Sequence, residues 1–295
     1  MFGANGFMFA SWMSRVPAVR DTFGLTPGQL SVLLLAISAG SLIGLPLAGR
    51  ITQRFDARAA VCGGAVVSLS GLVAAISAVA LAPNNLWLLP GLFACGLGIG
   101  IWDVAQNLHG AAVEHRMGRS IMPWFHAAFS GGTVVGALGG VAAIALGVPV
   151  TAHLLAVAAV AAAVILGGSA TFVRAVEEPD PVDPAAPAAP ARAAWTEPRT
   201  LLVGVMVLAA AFTEGTANDW LAVAFIDGHG IRDEYGVAAL AVFLTAMTLA
   251  RVLGTHLLDR HGRQKVLTVL FTAALAGCVA VVFGPTWLAF VGAAV

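Results

Sequence analysis

The sequence predicts an all-α membrane protein built from two helical bundles. Three observations predict it. The residues are 59% hydrophobic and 10% charged, where soluble domains carry about 25% charged residues. The apolar runs are long and numerous, each near the ~20 residues needed to cross a bilayer as a helix. One Ala/Pro-rich stretch, 175–198, interrupts them and divides the chain.

Full spans are expected at about 28–49, 59–81, 86–112, 122–146, 149–173, 200–226, 235–258 and 266–284. The runs 1–13 and 286–295 are too short to cross and read as parts of two further helices. The chain thus reads as beginning inside one helix and stopping inside another. The segment 175–198 holds six prolines, which prevent continuous helix and favour an extended linker. This gives an N-terminal bundle over 1–174, a linker over 175–198 and a C-terminal bundle over 199–295.

Positive charge sets the expected orientation. Arg50, Arg54, Arg58, Arg116, Arg119, Arg174, Arg192, Arg199, Arg260, Arg263 and Lys265 fall on one side, against Arg15, Arg20 and Arg232 on the other. The side rich in basic residues, with the linker, is expected to be cytoplasmic in a plasma or inner membrane. Two segments repeat across the halves. AGRITQRFDARAAV (48–61) and GTHLLDRHGRQKVL (254–267) each leave an outgoing helix through a short basic turn. Parallel repeats of this kind form sites between bundles.

Composition also excludes function classes. Formal net charge is zero, so no basic surface argues for nucleic acid. Cys62, Cys95 and Cys278 lie in apolar runs without metal-ligand spacing, and no metal or other cofactor is expected. There is no GxxxxGK[ST] for nucleotide-driven work, and neither G-x-S-x-G nor H-E-x-x-H for an enzyme. No cleavable signal peptide is expected, since residues 1–13 hold no Lys or Arg and no clear n-region.

The residues that carry chemistry are charges in apolar runs. An ionised group in hydrocarbon costs at least about 2.5–3.5 kcal/mol, so its retention marks a pathway or a partner. Asp103 is the first, and Gln106 and Asn107 share its helix face at i+3 and i+4. Glu214 lies near mid-depth of its span with Asn218 one turn on, and Asp219 and Trp220 follow towards the outer mouth. Asp219 reads either as a site residue or as a solvated group. Trp220 and Trp12 read either as stacking platforms or as interfacial anchors. Arg251 needs a bundle-facing counter-ion or an anionic solute. His126 shares a face with Ser130 and Thr133, while His109 lies near the cytoplasmic depth. Each histidine is either a proton relay or a satisfied structural group. Glu114, closing its helix, is in a position to pair with Arg54 or Arg58. Gly132, Gly136 and Gly140, like Gly40 and Gly44, recur at the four-residue spacing that lets backbones approach.

The turn GTHLLDRHGRQK resembles the loop signature of the major facilitator superfamily, with Asp259, Arg260, Gly262 and Arg263 matching. In the first-half copy Gln53 replaces the acid and Asp56 the glycine. The stretches 100–136 and 5–30 are similar to the fucose-permease-like and MosC-like branch. The resemblance implies twelve helices in two six-helix halves, of which this chain would supply a partial helix 1 through a partial helix 10. It implies a secondary transporter of a small polar, sugar-like solute, coupled to protons, working as a monomer in the lipid bilayer. It puts Asp103 and Asn107 at a fourth-helix acid–x–x–x–Asn pattern used in proton-coupled sugar transport. It puts Met13, beside Ser14 and Arg15, where fucose carriers hold a first-helix acid. By the family's pseudo-symmetry, Asp259 is expected near the helix N-terminus at Ile121, where the dipole favours negative charge. A non-transporting sensor or scaffold, or an inert fragment, is the alternative from another class. Flanking gene sequence would discriminate the two.

Overall fold

The computed structural model describes residues 1–81, 84–119, 121–169, 172 and 196–295, without the side chains of residues 255, 256, 258 and 259. Residues 175–195 of the linker, and Arg174 and Arg192, lie outside the described residues.

The described chain is helical. In order it forms α1 (Phe2–Met13), α2 (Val16–Phe23), α3 (Pro27–Phe55), α4 (Ala57–Leu81), a 3-10 turn at Asn85–Trp87, α5 (Leu88–Met117), α6 (Met122–Ala145) and α7 (Val150–Ser169). Then come α8 (Pro198–His229), α9 (Asp233–His261), α10 (Arg263–Phe283) and α11 (Thr286–Ala294). Eight of these are long and apolar enough to cross a membrane, and they fall on the eight spans expected from sequence.

Two features differ from the sequence expectation. The stretch after α1 is not a plain connection but the short helix α2. Pro17 opens it, and Gly24 closes it in the left-handed conformation at φ 60°. The helix α3 runs to Phe55, past the expected end near residue 49, and carries Pro46 in its interior. Its start is fixed by a capping box. Thr26 Oγ1 accepts from the Gln29 amide, and Gln29 Oε1 accepts from the Thr26 amide.

Packing is by close backbone approach, since lipid offers little hydrophobic drive between helices. The helix α5 lies between α3 and α4, α1 lies against α6 and α7, and α9 lies against both α6 and α8. The glycine stripes sit at these seams. A side chain on Gly40 would run into the Phe93 carbonyl, and one on Gly132 into the Gly3 carbonyl. Arg15 is 3% exposed and donates from Nε to His153 Nδ1 and from Nη2 to the Val148 carbonyl, both at 2.9 Å. It ties the α1–α2 corner to the start of α7.

The halves meet mainly at the ends of the helices remote from the basic turns. Leu221, Ala222, Val223 and Phe225 of α8 are buried, whereas the same helix is exposed over Leu201–Phe212. Val237, Leu240, Ala241 and Leu244 of α9 join one apolar core with Met8, Trp12 and Val16 of the first half. Arg20 of α2 reaches across to Asp227 of α8 and also holds Asp21 at 2.8 Å. Burial draws the Arg20 pKa down, but hydrogen bonds and charge from Asp21 and Asp227 outweigh this and hold it above its ordinary value.

Candidate functional site: a polar cavity between the halves

Below that closed end lies a cavity of about 430 Å³. Its wall is drawn from both sides of the linker. The first half supplies Phe2, Asn5 and Phe9 of α1, Ser41 and Leu45 of α3, Asp103 of α5, and His126, Phe129 and Thr133 of α6. The second half supplies Glu214 and Asn218 of α8 and Leu244, Met247 and Arg251 of α9. A mostly apolar wall with a few convergent polar groups is the usual make-up of a small-molecule site.

Asp103 sits near the middle of α5, where a helix of this length can present it to the cavity. Its Oδ1 accepts from Gln106 Nε2 at 3.1 Å, and Asn107 Nδ2 donates to the Asp103 backbone oxygen at 2.8 Å. The expected polar stripe therefore divides. Asp103 lines the cavity, Gln106 is buried behind it as a positioning group, and Asn107 turns back onto its own helix. Among the described residues Asp103 makes no ion pair.

Glu214 is placed differently. Arg251 donates from Nη2 to Glu214 Oε1 at 2.8 Å and from Nη1 to Ser130 Oγ at 3.1 Å. One guanidinium thus links α9 to α8 in its own half and to α6 in the other. Both charged side chains are about two-fifths exposed, 41% and 43%. At that exposure an ion pair contributes about 0.2–1 kcal/mol, enough to bias a geometry but not to lock it. His126 sets its ring edge-on to Phe2 at 5.8 Å, and Phe2 stacks on Phe125 at 5.3 Å.

Other candidates lie away from the cavity wall. Asp219 is half-buried outside the lining, and Trp220 packs on the apolar core. Trp12 borders a separate void of about 10 Å³. The His109 ring lies 4.5 Å from that of Phe172. Near the basic turns, Glu114 Oε2 accepts from the amides of Ile121 and Met122, both at 2.7 Å. The helix N-terminus expected to receive Asp259 therefore receives Glu114, and the side chain of Asp259 is outside the described residues. Arg54 lies over the Phe55 ring at 5.5 Å. Arg58 is half-buried, while Arg260 and Arg263 are exposed on either side of Gly262. Sequence reasoning passed over Asn5 and the Arg20–Asp227 contact. Asn5 carried a signal, being a lone amide in the apolar run FGANGFMFASWM.

Helices from both sides of the linker around one polar cavity define a helical membrane carrier. The Major Facilitator Superfamily model matches residues 1–295, and the chain belongs to that family of membrane transporters. It is a multi-pass membrane protein and not an enzyme. It is 33% identical over 285 residues to the uncharacterized transporter y4wD of Sinorhizobium fredii, covering 97% of this chain and 73% of that protein. It is 30% identical to an uncharacterized MFS-type transporter of Yersinia pestis, covering 90% of this chain and 66% of that one. Membrane protein MosC of Rhizobium meliloti is 26% identical, over 97% of this chain and 67% of its own length. The fold is that of the nucleoside transporter NupG (TM-score 0.70, 14% identity, 99% of this chain and 76% of that one). It is also that of a D-xylose-proton symporter (TM-score 0.65, 15% identity, 99% and 78%).

Proposed function

We propose that the chain forms the solute-handling body of a secondary active transporter. It carries a small polar, sugar-like solute by alternating access and couples that movement to protons. The observation that carries the reading is convergence: Asp103 from one half and Glu214, Asn218 and Arg251 from the other line one cavity. Rocking the halves about that cavity changes which face reaches it. Of the two structural neighbours, one is a nucleoside transporter and the other a D-xylose-proton symporter, which supports the sugar-like reading.

The proton falls to Asp103. Glu214 already has a guanidinium against it, whereas among the described residues the Asp103 carboxylate has only a neutral amide. An intramembrane carboxylate with no counter-charge is the group for which taking a proton relieves the largest cost. Gln106 holds it towards the cavity, and Asn218 and His126 supply further polar contacts for the solute. Asp219 and Trp220 support the α8 wall from outside the cavity.

The division into 1–174, 175–198 and 199–295 is proposed as two rocking bundles and their tether. The basic turns are proposed to face the cytoplasm of a plasma or inner membrane, with the protein working as a monomer. The conformation is then inward-facing, closed outside by the buried end of α8. Glu114 on the α6 N-terminus, with Arg54, Arg58, Asp259, Arg260 and Arg263 in the two turns, forms the set of contacts that remakes itself when the inner end closes.

The test is uptake by proteoliposomes of the full-length protein under an imposed pH gradient, across a panel of sugars, polyols and nucleosides. Gradient-driven accumulation of one of them, collapsed by a protonophore, is the expected result. Transport indifferent to the gradient would remove the proton from the account, and no transport of any solute would remove the transporter.

A further inference from the structure

One polar side chain on the cavity wall has no role in the account above. Asn5 lines the cavity, is 1% exposed, and neither its Nδ2 nor its Oδ1 has a hydrogen-bond partner among the described residues. An amide carries two donors and an acceptor, and burying all of them unpaired is costly. Along α1, Phe2, Asn5 and Phe9 fall at i, i+3 and i+7, on one face, and all three line the cavity. The wall there presents an amide between two aromatic positions.

The charges around the cavity narrow what that face can meet. Arg251 is shared between Glu214 and Ser130, so its charge already has a carboxylate to balance it when a solute enters. Asp103, without a counter-ion among the described residues, repels an anion. Aromatic faces take up apolar C–H surface, and an amide both donates to and accepts from hydroxyls. We propose that Asn5 is a substrate-binding residue, and that the solute is an uncharged ring with an apolar face and a hydroxyl edge, of the pentose, hexose or nucleoside kind. The solute meets the Phe2 and Phe9 rings first, and the Asn5 amide pairs with its hydroxyls as the rings part. This rests on the transporter reading and adds the residue that selects the solute and the demand that the solute be uncharged.

The experiment is a thermal-shift titration of the full-length protein in detergent with D-xylose, D-glucose, L-fucose, adenosine and the anion D-glucuronate. It is run on wild type, Asn5→Leu and Asn5→Ser. Leucine keeps the branching of asparagine at Cγ but is bulkier, and serine is smaller, so ligand-free midpoints of both variants within a few degrees of wild type are expected and show that each one folds. At least one neutral ring is expected to stabilise wild type, and glucuronate is not. Asn5→Leu is expected to bind that ring at least tenfold more weakly, with Asn5→Ser recovering part of the loss. A neutral ring that binds Asn5→Leu as tightly as wild type overturns the role of Asn5 and leaves the transporter reading standing. Stabilisation by glucuronate alone, or by nothing in the panel, overturns the solute class; the pH-gradient assay then decides separately whether the protein transports.

Discussion

Asp103 and Glu214 show how the same side-chain chemistry takes two roles according to its neighbours. Both were legible as carboxylates in apolar runs, because such groups are rare enough to be noticed without any structure. Their partners were not legible. Arg251 is 37 residues from Glu214 and 121 from Ser130, and only the fold brings the three together. The sequence puts Gln106 and Asn107 on one stripe with Asp103, yet a short amide one turn on reaches its own backbone more easily than the cavity. Trp220, expected near the outer end of its helix, packs on the apolar core. Periodicity gives a residue's face, not what covers it. The half-exposed Arg251–Glu214 pair yields a quantitative expectation. A double-mutant cycle with Arg251→Gln and Glu214→Gln, followed by unfolding in detergent, should give a coupling energy of about 0.2–1 kcal/mol. A coupling several times larger would mean the pair is sealed from water.

At the scale of elements, the two basic turns leave their helices through one backbone geometry. Asp56 stands in the first turn where Gly262 stands in the second. The structure gives Asp56 φ 86° and ψ 164°, and Gly262 φ 81° and ψ 150°. The turns share a backbone conformation that is nearly restricted to glycine and costs another residue about 1–3 kcal/mol. Asp56 offsets part of this by accepting from the Ala59 amide at 2.7 Å, capping α4. Gly262→Ala should therefore destabilise by about 1–3 kcal/mol, whereas Asp56→Gly should leave the thermal midpoint nearly unchanged, because relief of strain offsets the lost cap. A loss on Asp56→Gly equal to that on Gly262→Ala would show that the strain argument fails. The glycine seams carry a second expectation. Gly6→Ala puts a methyl into the Phe129 carbonyl oxygen, and overpacking of this kind costs about 1–3 kcal/mol. Gly139→Ala meets nothing within 4 Å and, inside a helix, should be neutral to stabilising by up to about 1 kcal/mol in the same unfolding assay. The helix α2 escaped the sequence reading because eight residues carry too few periods to be told from a loop, while the eight long spans announce themselves by length.

The whole molecule is closed at one end and parted at the other, and this could not be read from sequence because each helix carries the same apolar pattern in every conformation. The Arg20–Asp227 contact crosses the halves at the closed end, far from the basic turns. With Cys62, Cys95 and Cys278 replaced, Leu45→Cys on the cavity wall should react with an impermeant maleimide offered from the side of the basic turns. Val19→Cys, buried at the closed end, should stay unlabelled from either side. Rapid labelling of Val19→Cys would mean that the closed end opens freely. The central claim is that Asp103 carries the proton across this cavity. It is tested most directly by comparing wild type with Asp103→Asn in proteoliposomes, once a transported solute is in hand, for pH-gradient-driven accumulation and for solute counterflow at equal pH. The neutral amide should abolish accumulation while counterflow persists, because exchange needs the rocking halves but no net proton. Accumulation by Asp103→Asn at the wild-type level would contradict the account.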